Sequence, residues 1–271
     1  MYSLHKISVS VFLVFVPFFA FCGNPYRISS ASGMGMGSLC IVRNNLWTSF
    51  TNPALLTDNQ QIISGINYEN RFGLQELSTK SLAVRMPVGK TFIGTTYSYF
   101  GYSQFSRGSL IISCGKRLSE NISGGVTIDY FSERISGEYQ NTRFISFKAG
   151  LILDVSEKTS IGISLINPIP DALRHNSLPS SIIFGTGIRL SDIAFFGAEA
   201  ELSSSKKLSA RTGFEYEAGK DFLLRGGYST EYTSFSLGLG YTISRFTIDL
   251  GFATHEVLDI TSSLSLIYKI K

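Results

Sequence analysis

A two-residue alternation of apolar and small or polar side chains, repeated along most of the chain, constrains this sequence more than any other feature. It is clearest in the last third. Phe235, Leu237, Leu239, Tyr241 and Ile243 alternate with Ser234, Ser236, Gly238, Gly240, Thr242 and Ser244. Phe246, Ile248, Leu250 and Phe252 then alternate with Thr247, Asp249, Gly251 and Ala253, and Leu264, Leu266, Tyr268 and Ile270 with Ser263, Ser265, Ile267 and Lys269. Strand side chains point to opposite faces in turn, so each segment carries one apolar face and one small, polar face. A soluble sheet buries the apolar face in a core, whereas a transmembrane barrel turns it to lipid.

The same pattern runs through the middle of the chain. Leu82, Val84, Met86 and Val88 oppose Ser81, Ala83 and Arg85, and Val126, Ile128 and Tyr130 oppose Ser123, Gly125, Thr127 and Asp129. Strands are expected at 61–69, 78–88, 91–102, 106–117, 121–133, 142–155, 158–166, 180–190, 192–203, 207–217, 221–230, 233–244, 245–254 and 260–270. Each is near the 9–11 residues that a tilted membrane strand needs. Turn chemistry at Gly89-Lys90, Glu120-Asn121, Glu157-Lys158 and Ala218-Gly219 separates several of them. The longest connection, 167–179, carries three prolines and His175.

Composition and targeting signals decide between the two sheet environments. Charged residues make up 16% of the chain, against about 25% in a typical soluble domain, while Gly, Phe and Tyr are abundant. Residues 1–22 read as an export signal, with His5 and Lys6 before the apolar run Ile7 to Phe21 and a cleavage site at Ala20-Phe21-Cys22. No later stretch is apolar for long enough to cross a membrane as a helix, and a closed barrel is the other structure that satisfies its backbone in lipid. The expected fold is therefore all-β: a transmembrane antiparallel β-barrel of about fourteen strands over 61–271, in the bacterial outer membrane. A soluble secreted β-sandwich is the competing reading.

The polar face of these strands carries charges of both signs, among them Arg85, Asp129, Lys148, Arg189, Glu199, Glu201, Arg211, Glu215, Arg225 and Asp249. On a barrel they are expected to line a hydrated lumen. Glu199/Glu201 and Glu215/Glu217 fall on adjacent strands, a pattern read as interior polarity balanced by arginine, not as acid–base chemistry. His175 and His255 have no nucleophile motif beside them, and no Cys or His pair has metal-ligand spacing. Neither catalysis, a cofactor nor a metal is expected. The formal charge of +4 is spread evenly, so no nucleic-acid footprint is expected. Cys114 shares the phase of Leu110 and Ile112, which points to a buried or lipid-facing thiol, not to a bridge with Cys40.

Residues 23–60 read differently. Gly33-x-Gly35-x-Gly37 is expected to be a flexible turn and Leu39 to Val42 a short strand, while Asn52 caps a helical turn that begins at Pro53. Ser30-Ala31-Ser32-Gly33-Met34-Gly35, followed by Thr51-Asn52-Pro53-Ala54-Leu55-Leu56, resembles the opening of FadL-type outer-membrane proteins. Within them it is most similar to the PorV/PorQ-like branch of Bacteroidetes, whose last hairpin Ala253 to Leu258 also resembles. The resemblance implies a fourteen-stranded barrel in which 23–60 folds into the lumen or periplasmic mouth as a hatch carried by Asn52, Pro53, Ala54 and Leu55. It implies one of two non-enzymatic roles besides that of a structural barrel in outer-membrane lipid. An accessory barrel of the type IX secretion system would meet secretion components or secreted cargo through loops 167–179 and 254–259. A FadL-like channel would pass a hydrophobic small molecule such as a fatty acid, near Phe92, Phe100 or Phe195.

Overall fold

The computed structural model describes residues 28, 30–58, 60–137, 141–168, 178–204 and 208–270. The expected export segment 1–22, His175 and Lys271 lie outside them. Fourteen strands form one closed antiparallel barrel in which each strand pairs with its sequence neighbours and the first pairs with the last. They are β1 (Ile62–Asn70), β2 (Ser78–Val88), β3 (Thr91–Gly101), β4 (Phe105–Arg117), β5 (Ile122–Ile135), β6 (Thr142–Ser156) and β7 (Thr159–Ile166). The series continues with β8 (Ser181–Ser191), β9 (Ala194–Ser203), β10 (Leu208–Glu217), β11 (Phe222–Ser229), β12 (Ser234–Ile243), β13 (Phe246–Ala253) and β14 (Thr261–Ile270). Closure through nine residue pairs between β1 and β14, from Ile62↔Ile270 to Asn70↔Ser262, leaves no edge to satisfy.

The phase of every strand follows the alternation. Leu82, Val126, Phe235, Leu237 and Leu264 project outward and are exposed. A belt of this kind has no place in water and defines a lipid-facing wall. Aromatic pairs lie near its two ends: Tyr228 with Phe235 (centroids 5.0 Å apart) at one, Phe246 stacked on Tyr268 (4.7 Å) at the other. Rings at these depths suit the membrane–water interfaces. Cys114 stands on this outer wall and Cys40 is buried inside, so the two thiols are on opposite sides of the sheet.

The two mouths differ. At the mouth where β1 begins and β14 ends, the connections are short, with two-residue hairpins at 89–90 and 244–245. There Gly89 and Ser244 take positive φ, as tight hairpins require. Most connections at the opposite mouth are longer, the longest joining β7 to β8.

Two local expectations fail in the N-terminal segment. Residues 33–35 are not part of a flexible turn: α1 (Ala31–Gly35) is a short helix with Ser30 as its cap, its Oγ accepting from the Gly33 amide at 3.1 Å, and the turn is confined to the residues that follow, with Gly37 at positive φ. Leu39 to Val42 is not a strand. The Cys40 and Ile41 amides are taken by a side chain of β9 in place of a ladder partner. Further on, short 3₁₀ helices form at Thr48–Phe50, one turn, and Pro53–Asp58, two turns.

Leu239 lies mid-strand on the outer face of β12. Replacing it with arginine is expected to lower unfolding stability in lipid by about 2–4 kcal/mol. The same change at Leu118, in the turn between β4 and β5, is expected to be nearly silent. Denaturant titration in vesicles reads both.

Candidate functional site

Barrels of about eight strands are filled by their own side chains, and wider ones need something else inside. Here the filling is the N-terminal segment. Met36, Leu39, Ile41 and Val42 pack with Ile166, Ile183 and Phe195 of the inner wall. Leu46, Trp47 and Phe50 pack with Ile63, Ala83, Ile111 and Ile267, and Ala54 and Leu55 with Ile152. Trp47 is 1% exposed and Phe50 fully buried.

Inward-facing glycines let this backbone come close. A Cβ on Gly35 would lie 2.6 Å from the Cα of Gly238, and one on Gly125 would lie 2.7 Å from the carbonyl carbon of Pro53. Both distances are too short for any side chain. Mid-strand glycines in the inward phase were the sequence signal for a buried guest inside the barrel. Read only as small polar positions, they did not disclose it.

An irregular backbone in such a place has amides and carbonyls that no ladder satisfies. The inner wall supplies the partners. The Ala31 amide donates to Asn67 Oδ1 on β1 and Ser265 Oγ on β14, both at 3.2 Å. Gly37 donates to Ser236 Oγ at 2.8 Å. Glu199 Oε1 accepts from two successive amides, Cys40 at 2.9 Å and Ile41 at 2.7 Å, an arrangement in which consecutive N–H groups converge on one anion. Lys148 Nζ donates to the Phe50 carbonyl at 3.3 Å and to Asp129 at 3.0 Å. Ser164 Oγ donates to the Thr51 carbonyl at 2.8 Å. Arg85 reaches the Leu55 carbonyl at 3.4 Å and Asn44 at 3.3 Å.

Asn52 works from the segment side. Its Nδ2 donates to the Ile41 carbonyl at 3.0 Å and its Oδ1 accepts from the Ala54 amide at 3.2 Å, which caps the turn opened by Pro53. All four residues of the expected hatch motif, Asn52, Pro53, Ala54 and Leu55, are buried.

The expected lumenal charges are packed against protein on the inner side of the wall. Arg85, Asp129, Glu199, Glu201, Arg211, Glu215, Arg225 and Asp249 are all buried. Arg225 bonds Glu215 and Asp249, each at 2.6 Å, and Glu215 also pairs with Arg43 of the segment. Arg211 bonds Glu201 at 2.5 Å and Glu231 at 3.1 Å. Burial of such groups is tolerable only when they are paired and hydrogen-bonded, as Arg225, Glu215, Asp249 and Glu201 are. The carboxylates of the two expected pairs are thus engaged separately: Glu199 by backbone amides, Glu201 by Arg211 and Glu215 by two arginines. Arg189 departs from the rest and is exposed at the short-turn mouth. His255 sits in the β13–β14 loop, where its Nδ1 accepts from the Val257 and Leu258 amides at 3.2 Å.

Open space remains below the segment. A cavity of about 480 Å³ at the short-turn mouth has Val42, Leu55, Ile152 and Phe195 as apolar walls and Arg43, Arg117, Lys158 and Arg189 among its polar ones. Register shifts in β6–β7 and β8–β9 flank it, at a rim where bulges commonly re-aim strands. Of the expected ligand aromatics, Phe92 and Phe195 are buried. Phe100 lies at the other mouth between the guanidinium groups of Arg71 (5.5 Å) and Arg107 (5.9 Å).

No family model matches this sequence, and no curated protein does. The fold does have solved counterparts. A FadL homologue of Pseudomonas aeruginosa superposes with a TM-score of 0.67 at 13% identity, over 90% of this chain and 98% of that one. The toluene transporter TodX of Pseudomonas putida gives 0.64 at 11%, over 89% and 97%. A TodX mutant described as a monoaromatic hydrocarbon channel gives 0.68 at 10%, over 89% and 98%. The chain is therefore a transmembrane β-barrel with the fold of FadL-type outer-membrane proteins.

Asn52→Ala removes a buried donor and a cap. It is expected to lower stability by about 1–3 kcal/mol while the barrel still runs as a heat-modifiable folded species on gels. Disappearance of that species would mean that the barrel cannot stand without this segment seated.

Proposed function

We propose that the chain is a non-enzymatic, gated passage for small hydrophobic molecules across the outer membrane, to which the segment 1–22 directs it. In this reading the N-terminal segment is the hatch, with Asn52, Pro53, Ala54 and Leu55 at its hinge end. The observation that carries the proposal is how the lumen is closed. The plug is held by individual hydrogen bonds and apolar contacts from the inner wall, not by strand pairing, so it can be displaced while the sheet stays intact. The half-apolar cavity beneath it offers a solute a place to leave by the short-turn mouth. The shared fold with a FadL homologue and with the toluene transporter TodX supports the same class of solute.

A second reading is an accessory barrel of the type IX secretion kind. It is supported by the resemblance of 30–35, 51–56 and 253–258 to the PorV/PorQ-like branch, and by a lumen so well filled that no passage need open. Its partners would be secretion components or secreted cargo.

Uptake separates the two. Cells producing the protein are expected to accumulate labelled toluene or oleate several-fold faster than cells lacking it, and Glu199→Ala, which frees the Cys40 and Ile41 amides, is expected to raise the rate further. Uptake equal in both strains, with the protein recovered in a large assembly after mild detergent extraction, would transfer the assignment to the secretion reading.

A further inference from the structure

Charge on the outer wall obeys a different rule from charge inside. Inside, both signs occur, and Lys148, Arg211 and Arg225 each meet a carboxylate. Along the outward phase of the fourteen strands, the charged side chains among the described residues are Lys80 on β2, Lys116 on β4, Arg134 on β5 and Arg143 on β6. All are cations and all are exposed. Lys80, Arg134 and Arg143 stand at the long-loop end of their strands. A cation facing acyl chains is unfavourable at mid-membrane but nearly neutral at the interface, where it attracts anionic headgroups at about 1 kcal/mol each. An acidic residue there would repel them.

Lys80 has a second feature beside it. The outer wall over β14, β1, β2 and β3 is indented by a groove of about 640 Å³ with almost wholly apolar walls, among them Ile66, Leu82, Tyr97 and Leu266. Lys80 lies at its long-loop edge, directly across from Tyr68 on β1 and Tyr99 on β3. No ion pair among the described residues engages Lys80. A hydrocarbon chain fits the groove, while an ammonium flanked by two phenols fits an anionic head at interfacial depth.

We propose that this groove is a binding site for one phospholipid with a net negative headgroup, in the leaflet on the long-loop side. An acyl chain lies along Ile66, Leu82 and Leu266, and the headgroup phosphate rests on Lys80. The site is on the lipid face and does not depend on whether a solute crosses the lumen.

The test uses the full folded chain in a non-ionic detergent, mixed with either phosphatidylglycerol or phosphatidylcholine, with bound lipid counted by native mass spectrometry. One phosphatidylglycerol is expected to be retained in preference to phosphatidylcholine. Lys80→Gln is expected to weaken that retention about fivefold, Lys80→Arg to preserve it, and Lys116→Gln, at the other end of the wall, to leave it unchanged. Ile66→Trp, which fills the groove, is expected to reduce retention of both lipids. Heat-modifiable mobility confirms that each variant is folded. Equal retention of the two lipids, a Lys80→Gln protein that behaves as wild type, or an equal loss in Lys116→Gln would overturn the proposal.

Discussion

A backbone amide or carbonyl inside a membrane protein has no bulk water to turn to, and the interior of this barrel is organised by that constraint. The strands satisfy their own groups by closing on themselves. The N-terminal segment cannot, because it is neither long regular helix nor strand. Its amides and carbonyls therefore dictate what the inner wall must carry. Glu199 is placed to take two successive N–H groups, Lys148 and Ser164 to donate to carbonyls, and Asn67 and Ser265 to receive the amide of Ala31. The remaining acids and arginines, such as Glu215, Arg225 and Asp249, neutralise one another. An inner wall of this composition is a consequence of the guest it holds.

The barrel itself was legible because its cause is local. Outward residues meet lipid along every strand, so Phe235 to Ile243 reads as strand with no knowledge of any other segment, and turns such as Gly89-Lys90 punctuate the series. The interior was harder, because its causes are distant. Cys40 and Glu199 are 159 residues apart, and nothing in Leu39 to Val42 announces that a carboxylate will replace a strand partner. A helix of five residues at Ala31–Gly35 is likewise too short to stand on propensity. It holds because Ser30 caps it and because glycines on β12 and β13 let it lie against the wall. The capped turn at Asn52 and Pro53 was readable, since its chemistry is contained within three residues.

The charged inner face illustrates how little direction alone says of environment. Alternation places Arg211 and Asp249 inward, as the sequence suggests, but alternation says nothing about what fills the space they face. A lumen full of water and a lumen full of protein demand the same inward polarity. They differ in the glycines: positions such as Gly125 and Gly238 have no reason to lack a side chain in a water-filled channel. They have a good one when Pro53 or Gly35 must pass at contact distance.

The amide of Ala31 touches Asn67 on the first strand and Ser265 on the last, 234 residues further along. These are the two strands whose pairing closes the cylinder. The clasp at the head of the plug therefore has half its partners missing until the final strand arrives. Sealing the seam and completing the clasp thus draw on the same two strands. A chain stalled before its last hairpin would have an open wall and a half-made clasp at once, because one contact that spans nearly the whole barrel sequence needs both ends of it.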